Sequence, residues 1–520
     1  MGALGATNPM ALDRRRLLGA LGGAVAAGML PAKALALAPG AGRGHKVVVI
    51  GAGMAGLVAA REIERAGGEA IVLEANGRVG GRAWTVRGGD RVPHLGEEDQ
   101  IAGFSPGLYL NVGPARIPSH HDGYLGLARE LQVPLEVLVN SSRSAFLENS
   151  SKAGGAGRVR IRQASSDLHG HLAELLEKGL RTGALDQELT PAVRTKLAAF
   201  LRSYGDLGDD LAYHGSTRAG LRQVPGATIE QAIAVPPLTL EELLGNPELS
   251  AVLFDENILM QATMLQPLGG MDRLPVALTA ALRQPPRLGA EVREIRRQGE
   301  GVRVIYRDRR GGAAQAVEAD RAIVTTPLPI LARIPSDFST ATKAAIASVR
   351  YSDSMKIGFE SAPFWEAEQI YGGISFVGGD TGLIWYPSGR FQAPRAVLLA
   401  AYTSREAAAR LGARSRPEQI AAARAAVERL HPGHGRDLAA PLVVHWSKVP
   451  FAEGPWIEWT DPGNDAQAAV ALNAGDGPFL FAGSHLSAYS GHWQEGAILS
   501  GRRAAQLALA SHHTLATRRS

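Results

Sequence analysis

The sequence predicts an α/β fold in which a parallel sheet, covered on both faces, begins close to the N-terminus. Lys46-Val47-Val48-Val49-Ile50 is almost wholly apolar, as expected of a buried parallel strand. Gly51-Ala52-Gly53-Met54-Ala55-Gly56 follows at once, before a helical stretch at 57–66. A second apolar strand, Ala70-Ile71-Val72-Leu73, ends at Glu74. This strand–helix–strand unit with Gly-x-Gly-x-x-Gly at its first turn predicts a Rossmann-like, dinucleotide-binding domain.

The residues of this unit have distinct predicted roles. The glycines allow a tight turn and a close approach of the backbone to a pyrophosphate, which rests on the N-terminus of the helix. Glu74 ends the second strand, where a carboxylate accepts hydrogen bonds from a ribose diol.

Composition excludes several classes of protein and site. Of 520 residues, 45% are hydrophobic and 20% are charged, which argues against a disordered chain. The net charge of +5 is too thin to indicate a nucleic-acid partner. The absence of cysteine excludes disulfides, cysteine-ligated metals, a thiol nucleophile and a cofactor tethered through cysteine.

Residues 1–38 are predicted to be an export leader rather than part of the fold. Asp13-Arg14-Arg15-Arg16-Leu17-Leu18 precedes a short apolar stretch and a run of small residues, in the order typical of a cleaved signal. The arginines resemble a twin-arginine signal, which is used by proteins exported folded, here to the periplasm or extracellular space. No apolar run reaches the roughly 18 residues of a membrane span, so we expect no stable membrane insertion. Removal of the leader lowers the net charge from +5 to +2.

Several further segments resemble the flavin amine oxidase superfamily. Gly77-Arg78-Val79-Gly80-Gly81-Arg82 resembles its second FAD signature, and Gly269-Gly270-Met271-Asp272-Arg273-Leu274 resembles its central glycine-rich segment. Val292 matches a residue that contacts the adenine. Near the end, Phe479-Leu480-Phe481-Ala482-Gly483-Ser484 resembles the strand and loop that return to the flavin. The resemblance covers roughly 45–515 and implies FAD as the cofactor.

The sequence departs from the family after this last strand. Many relatives carry Gly-[Thr/Glu]-Glu there, whereas this chain has Gly483-Ser484-His485. No acid is therefore available at that place for the ribityl chain.

Within the superfamily, the chain resembles L-amino-acid oxidases. Asn111-Val112-Gly113-Pro114-Ala115-Arg116-Ile117-Pro118 matches their Gly-Pro-x-Arg-[Ile/Leu]-Pro motif, whose arginine binds the substrate carboxylate. A guanidinium suits this role because its two parallel donors match two carboxylate oxygens. Ile384-Trp385-Tyr386-Pro387 resembles a segment whose tyrosine binds the same carboxylate. Since only one of Trp385 and Tyr386 can face the site on an extended strand, Tyr386 is predicted to do so.

Three more residues complete the predicted site. The resemblance implies that Lys356 holds a water against flavin N5, although an exposed lysine on an edge strand is the alternative. Trp493 and Trp456 are predicted to flank the substrate amine, with plain core packing as the alternative. Lys356 and Trp493 are the predicted catalytic residues, and the substrate-binding residues are Arg116, Tyr386, Trp456 and Trp493. The predicted cofactor-binding residues are Gly51, Gly53, Met54, Ala55, Gly56, Glu74, Ala75, Gly81, Arg82, Gly113, Pro114, Ala115, Arg116, Val292, Gly483, Ser484, Trp493 and Ala497; no metal site is predicted.

The family architecture implies discontinuous domains. The predicted FAD-binding domain comprises 45–90, 246–345 and 475–515, and the mixed-sheet substrate domain comprises 91–155 and 346–474. A helical insertion at 156–245 is expected to shape substrate entry. The family also implies a homodimer.

The sequence thus predicts a secreted, FAD-dependent L-amino-acid oxidase that uses oxygen and releases a 2-oxo acid, ammonia and hydrogen peroxide. The FAD is not linked through cysteine. Three alternatives stay open: an amino-acid 2-monooxygenase that forms the amide, an amine oxidase without carboxylate recognition, and a non-catalytic flavoprotein. The preferred amino-acid side chain and any catalytic base are not determined.

Overall fold

The structure is a computed structural model that describes residues 37–149, 157–227, 229–458, 462–487 and 491–510, with the backbone alone for 462–465. The predicted leader, 1–38, lies outside the described residues except for its last two positions.

A five-stranded, wholly parallel sheet forms the nucleotide-binding half. Val47 pairs with Ala70 on one side and with Arg321 on the other. The two strands of the predicted strand–helix–strand unit therefore lie side by side. Val47, Val48 and Val49 are fully buried because helices or a second sheet cover both faces. The strands, in spatial order, are Arg287–Leu288, Glu69–Glu74, Lys46–Ile50, Arg321–Val324 and Phe479–Phe481.

A seven-stranded mixed sheet forms the other half. Its largest buried side chains include Phe359, Trp365 and Tyr386, which belong to one continuous apolar core. All eight residues of the strand Ser354–Ser361 are buried. The strands, in spatial order, are Gly157–Arg160, Phe146–Asn149, Gly373–Phe376, Leu383–Tyr386, Ala396–Ser404, Ser354–Ser361 and Ala439–His445.

Smaller sheets connect or flank these two. Three-stranded sheets are formed by Ile117–Pro118, Met264–Pro267 and Leu135–Leu138, and by Ala290–Gln298, Gly301–Asp308 and Gln315–Ala319. Two-stranded sheets pair Thr85–Arg87 with Tyr109–Asn111, Arg91–Val92 with Gln100–Ile101, Leu221–Gln223 with Ile233–Ala234, and Arg350–Tyr351 with Ile457–Glu458.

The helices surround the sheets, and the first of them, Met54–Arg65, packs against the last, Gln494–Leu509. The α-helices are Met54–Arg65, Asp122–Glu130, Ile161–Arg181, Pro191–Gly205, Leu240–Leu244, Arg273–Ala280, Leu328–Leu331, Thr340–Ser348, Phe364–Ala367, Arg405–Gly412, Arg416–Leu430, Pro462–Ala474 and Gln494–Leu509. Short 3₁₀ helices span Thr217–Ala219, Leu249–Glu256, Gly379–Thr381, Gly435–Asp437, Trp446–Lys448 and Ser484–Leu486.

The large sheet extends further along the chain than the sequence suggested. Gly157–Arg160 pairs antiparallel with Phe146–Asn149, and the helix Ile161–Arg181 begins only afterwards. The segment predicted to be helical from 156 therefore starts with a strand of the substrate half. The predicted α/β fold, with a Rossmann-like half, a mixed-sheet half and a helical insertion, is otherwise confirmed.

Candidate active site

The turn after the first strand is built from glycines that differ in purpose. A Cβ on Gly51 would lie 2.4 Å from Thr325 Oγ1, and one on Gly56 would lie 2.0 Å from the Gly51 carbonyl oxygen. A Cβ on Gly53, in contrast, would meet nothing within 4 Å. Gly51 and Gly56 thus allow the strand and helix to pack closely, whereas Gly53 lies beside open space. The helix Met54–Arg65 has no side-chain cap, which leaves its first N–H groups for a ligand.

Glu74 is held rigidly at the end of its strand. Its Oε2 accepts a hydrogen bond from Ala52 N at 2.7 Å, and its Oε1 accepts from Asn76 N at 2.7 Å. Asn76 Nδ2 also donates to Oε1, at 3.0 Å, and since a carboxylate offers about four acceptor positions, one remains for a ribose hydroxyl. Glu74 and the following Ala75 both line the large cavity described next.

A cavity of about 1720 Å³ lies between the two halves and joins most of the predicted site. Neither Gly56 nor Tyr386 lines it. The predicted residues that do line it are Gly51, Gly53, Met54, Ala55, Glu74, Ala75, Gly81, Arg82, Gly113, Pro114, Ala115, Arg116, Val292, Lys356, Trp456, Gly483, Ser484, Trp493 and Ala497.

Arg78 is a cavity residue that the sequence interpretation passed over. Its Nη1 donates to the Gly81 carbonyl at 2.6 Å, and its guanidinium lies 4.1 Å from the ring centroid of Trp84. Burial lowers its pKa to about 10, against the opposing effect of Glu74 and Asp272. Arg78 lies within the glycine-rich signature 77–82, of which only Arg82 is among the predicted cofactor-binding residues. The signature itself therefore marked this position in the sequence.

The second arginine of that signature has a different contact. Arg82 Nη1 donates to the Pro455 carbonyl at 2.8 Å and thereby joins the N-terminal unit to the segment that carries Trp456. Both arginines line the cavity and can offer positive charge to a diphosphate.

The nucleotide end of the cavity fits FAD by its chemistry. Open space beside Gly53, an uncapped helix N-terminus and two arginines suit a pyrophosphate, and the Glu74 carboxylate suits a ribose. Val292 adds an apolar wall from the strand Ala290–Gln298.

Gly483 and Ser484 line the other end of the cavity, where Gly483 N donates to Ser500 Oγ at 2.9 Å. His485 is buried but does not line the cavity, and burial lowers its pKa to about 3.

Lys356 is buried on a strand inside the large sheet and is only 3% exposed. Its Nζ donates to the carbonyl oxygens of Asn111, at 3.0 Å, and Gly113, at 2.6 Å. Burial lowers its pKa to about 7, and the nearby Arg116 acts in the same direction. The lysine thus combines a titratable amine in the cavity with a direct hold on the segment before Arg116.

Arg116 lies among aromatic side chains. Its guanidinium carbon is 4.7 Å from the ring centroid of Trp385, 5.6 Å from that of Phe254 and 5.9 Å from that of Trp493. Its Nη1 donates to Asn140 Oδ1 at 2.6 Å.

The charge of this arginine lacks a counter-ion among the described residues. Burial lowers the pKa of Arg116 to about 10, so the group stays cationic at neutral pH. Across the described ranges, no Asp or Glu forms an ion pair with it. Its remaining donors can therefore bind an anionic group from outside the chain.

The expected orientation of the strand Leu383–Tyr386 is wrong. The Tyr386 hydroxyl lies 2.8 Å from Ser375 Oγ and 2.7 Å from His431 Nε2, in the core behind the cavity wall. Trp385, which points the other way, lines the cavity and packs over Arg116. Alternation along a strand required one of the two to face the site, but it did not indicate which.

Tyr402 is a second cavity residue that the sequence interpretation missed. It lies on the strand Ala396–Ser404, opposite Lys356 in register, and the Lys356 Nζ is 4.8 Å from its ring centroid. Burial raises its pKa, while the positive charge of Arg116 opposes that rise. Its hydroxyl makes no hydrogen bond to any other residue that the structure describes. No sequence motif marks this position, because it belongs to an ordinary apolar strand.

The two predicted tryptophans both line the cavity. Trp493 immediately precedes the helix Gln494–Leu509, and its ring centroid is 5.2 Å from that of His121. The Trp456 ring centroid is 6.0 Å from that of His492. They supply flat apolar surfaces at the substrate end.

Neither a metal site nor a membrane-spanning helix occurs in the described part of the chain. It contains no group of three or more His, Asp or Glu residues placed to hold a metal ion. Among the helices it comprises, none is both long enough and apolar enough to cross a membrane.

Comparison with curated proteins shows similarity over most of the chain. An L-amino-acid oxidase of Siganus canaliculatus is 30% identical over 471 residues, which cover 89% of this chain and 84% of that protein. The flavin-dependent L-tryptophan oxidase RebO of Lentzea aerocolonigenes is 29% identical over 493 residues, 88% of this chain and 97% of that protein.

Solved structures show the same fold at lower sequence identity. Cyclohexylamine oxidase from Brevibacterium oxydans IH-35A superposes with a TM-score of 0.61 at 18% identity and covers 89% of this chain and 98% of that one. Wild-type putrescine oxidase bound to putrescine superposes with a TM-score of 0.59 at 19% identity, with the same coverage.

The range that matches a known protein family contains nearly all of the residues that line the cavity. The family described as flavin containing amine oxidoreductase matches residues 54–509, from the start of the helix Met54–Arg65 to the end of the helix Gln494–Leu509. That range includes every predicted site residue except Gly51 and Gly53, which precede it directly. The chain is a member of the flavin-containing amine oxidoreductase family.

Proposed function

We propose that the chain is an FAD-dependent L-amino-acid oxidase that converts an L-amino acid, oxygen and water into a 2-oxo acid, ammonia and hydrogen peroxide. The observation that most strongly supports this function is the environment of Arg116. This buried cation lines the cavity without an ion pair to a described carboxylate. The L-amino-acid oxidase and L-tryptophan oxidase relatives support the same substrate class.

The electrostatics of Arg116 favour an amino acid over a simple amine. Holding a guanidinium away from water is costly unless a counter-ion compensates for the lost hydration. A substrate carboxylate can provide two charge-assisted hydrogen bonds and that counter-charge at once. An amine without a carboxylate would leave the cation uncompensated.

The residues of the chain bind and orient the substrate. Arg116 holds the carboxylate, and Trp493 and Trp456 flank the amine, which limits rotation about Cα. Lys356, through its bonds to the Asn111 and Gly113 carbonyls, fixes the segment that leads to Arg116. The chemistry supplied by bound FAD is acceptance of a hydride from Cα and delivery of two electrons to oxygen. The neutral amine that hydride loss requires forms by release of a proton to water, and the resulting imine hydrolyses.

The chain has no cysteine, so FAD is bound without a cysteinyl link. Glycines 51 and 53, Glu74, Arg78 and Arg82 would hold its nucleotide part.

The test is reduction of the enzyme-bound flavin without oxygen. We expect L-phenylalanine to bleach its visible absorbance far faster than 2-phenylethylamine, which differs by the carboxylate alone. In air, peroxide and the 2-oxo acid should form in equal amounts; an amide with carbon dioxide would instead identify the monooxygenase.

The matching variant is Arg116→Ala. Loss of the charge-assisted bonds should raise the KM for L-phenylalanine by on the order of tenfold to a hundredfold while FAD stays bound. Unchanged amino-acid turnover in this variant, or no bleaching of the wild type by any amino acid, contradicts the proposal.

We also propose that residues 1–38 direct export of the folded protein. The paired arginines, the short apolar stretch and the small residues before position 39 support this. Replacing Arg15 and Arg16 by lysine should leave the protein inside the cell, as cell fractionation would show; export at the wild-type level would contradict it.

A homodimer is a further proposal. Leu172, Leu175 and Leu176 are 41%, 51% and 45% exposed on the helix Ile161–Arg181, a surface that a second copy could cover. Sedimentation of the purified protein distinguishes monomer from dimer.

A further inference from the structure

Asn140 holds the proposed carboxylate-binding arginine. It follows the strand Leu135–Leu138 and is only 4% exposed. Its Oδ1 accepts from Arg116 Nη1 at 2.6 Å, and its Nδ2 donates to the Met260 carbonyl at 2.7 Å. The side chain is therefore fixed from both ends.

The chemistry of the neighbours determines the orientation of this amide. A guanidinium can only donate and a backbone carbonyl can only accept, so the amide oxygen must face Arg116. The preceding residue is tied down as well, because Val139 N donates to Ser388 Oγ at 2.9 Å and Gly373 N donates to the Val139 carbonyl at 2.9 Å. Asn140 cannot turn away without breaking these hydrogen bonds.

Some other arginines of the described chain are paired with acids. Arg87 Nη1 lies 2.7 Å from Asp272 Oδ2, and Arg61 Nη2 lies 2.6 Å from Glu130 Oε1. An aspartate at position 140 would have almost the shape of asparagine and could make the same bond to Arg116. It would also cancel the charge of Arg116.

We propose that Asn140 is a positioning and specificity-determining residue, a neutral acceptor that orients the Arg116 guanidinium while leaving its positive charge for the substrate. This inference rests on the proposed function. Asn140 would then be a second determinant, after Arg116, of the preference for amino acids over amines. It could act in this way without touching the substrate.

The decisive variant is Asn140→Asp. We expect the ratio of kcat/KM for L-phenylalanine to kcat/KM for 2-phenylethylamine to fall by at least about tenfold, mainly through the KM for the amino acid. The dissociation constant of benzoate, an unreactive carboxylate, should rise by a similar factor when followed by the visible spectrum of bound FAD.

Asn246→Asp is the matched control. Asn246 is also buried, at 5% exposure, and its Oδ1 also accepts a hydrogen bond, but the donor is Glu248 N and not Arg116. It should change stability without changing the substrate ratio. Asn140→Ser, which is neutral but shorter, should weaken benzoate binding less than Asn140→Asp and provides a readout if the aspartate variant does not fold.

The outcomes separate two kinds of failure. If the wild type prefers L-phenylalanine but neither position-140 variant changes the substrate ratio or benzoate binding by more than about twofold, the role of Asn140 is refuted and the proposed function stands. If the wild type oxidises 2-phenylethylamine and no amino acid, the proposed function itself fails.

Discussion

Two tyrosines on neighbouring strands show how the surroundings of a residue determine its role. The Glu368 carboxylate lies 2.5 Å from His431 Nδ1, which must donate, so His431 Nε2 accepts from the Tyr386 hydroxyl. The Tyr386 hydroxyl is thereby held in the core, whereas Tyr402 lines the cavity near Arg116.

Replacing each tyrosine by phenylalanine should separate these roles. Tyr386→Phe leaves His431 with a buried, unpartnered nitrogen and should cost about 1–3 kcal/mol of stability, with an unchanged KM for L-phenylalanine. Tyr402→Phe should unfold like the wild type but raise that KM, because a hydroxyl beside the proposed carboxylate site is lost. Urea unfolding and steady-state kinetics of both variants measure this, and equal effects on KM would contradict it.

The lowered pKa of Lys356 predicts a pH dependence of stability. In the unfolded chain the lysine keeps its proton up to its ordinary pKa of 10.5, whereas in the folded chain it loses the proton above about 7. Between these values the unfolded state binds more protons, so the stability of the wild type rises with pH relative to Lys356→Met. Urea unfolding at pH 7 and pH 9 should show a relative gain of about 2–3 kcal/mol. A pH-independent difference would place the amine in a more polar environment.

At the scale of single residues, sequence motifs identified most of the predicted residues that line the cavity. Glycines, Glu74, Arg116 and Lys356 are recognisable because few residue types provide their chemistry or conformations. Trp385 and Tyr402 were missed or misassigned for a physical reason. Both belong to strands that are apolar on both faces, where the sequence does not reveal which face meets a cavity.

At the scale of elements, Glu495 in the first turn of the helix Gln494–Leu509 connects this last helix to the helix Asp122–Glu130. Its carboxylate is buried and accepts the N–H groups of Gly123 and Tyr124, each at 2.8 Å, at the start of the helix Asp122–Glu130. Burial raises its pKa, against the effect of these hydrogen bonds. A Cβ on Gly123 would lie 2.7 Å from Glu495 Oε1, so this contact also requires glycine.

Glu495→Ala should therefore destabilise the protein strongly for a single substitution. Two buried N–H groups lose their acceptor, which should cost about 2–4 kcal/mol. Because Trp493 lies just before this helix, the KM for L-phenylalanine should rise as well. Thermal unfolding and kinetics measure the two effects; a melting temperature equal to that of the wild type would contradict the capping role.

Strand and helix positions were largely predictable because apolar runs and glycine punctuation mark them. The strand Gly157–Arg160 was not, since its four residues become a strand through pairing with Phe146–Asn149. Such a pairing is a tertiary fact that a short alternating segment does not reveal.

The whole molecule closes around its cofactor cavity, so its stability should depend on FAD. Removing FAD should lower the melting temperature, and added FAD should restore it in a concentration-dependent way, because a ligand that binds only the folded state stabilises it. Denaturation should release all of the flavin unmodified, as no cysteine can retain it. Flavin that stays with the denatured chain would reveal another covalent link.

The order of the parallel sheet has a consequence for synthesis on the ribosome. Its central strand, Lys46–Ile50, emerges early, but its neighbour Arg321–Val324 comes much later, and that strand pairs with Phe479–Phe481 near the C-terminus. The strand Lys46–Ile50 therefore lacks its second neighbour until Arg321–Val324 has been translated, and the sheet is complete only after Phe479–Phe481. A truncation that stops before Phe479 lacks the last strand of this sheet and also Gly483 and Ser484 of the cavity lining, so we expect it to lose flavin although the glycine turn at the other end of the sequence is intact.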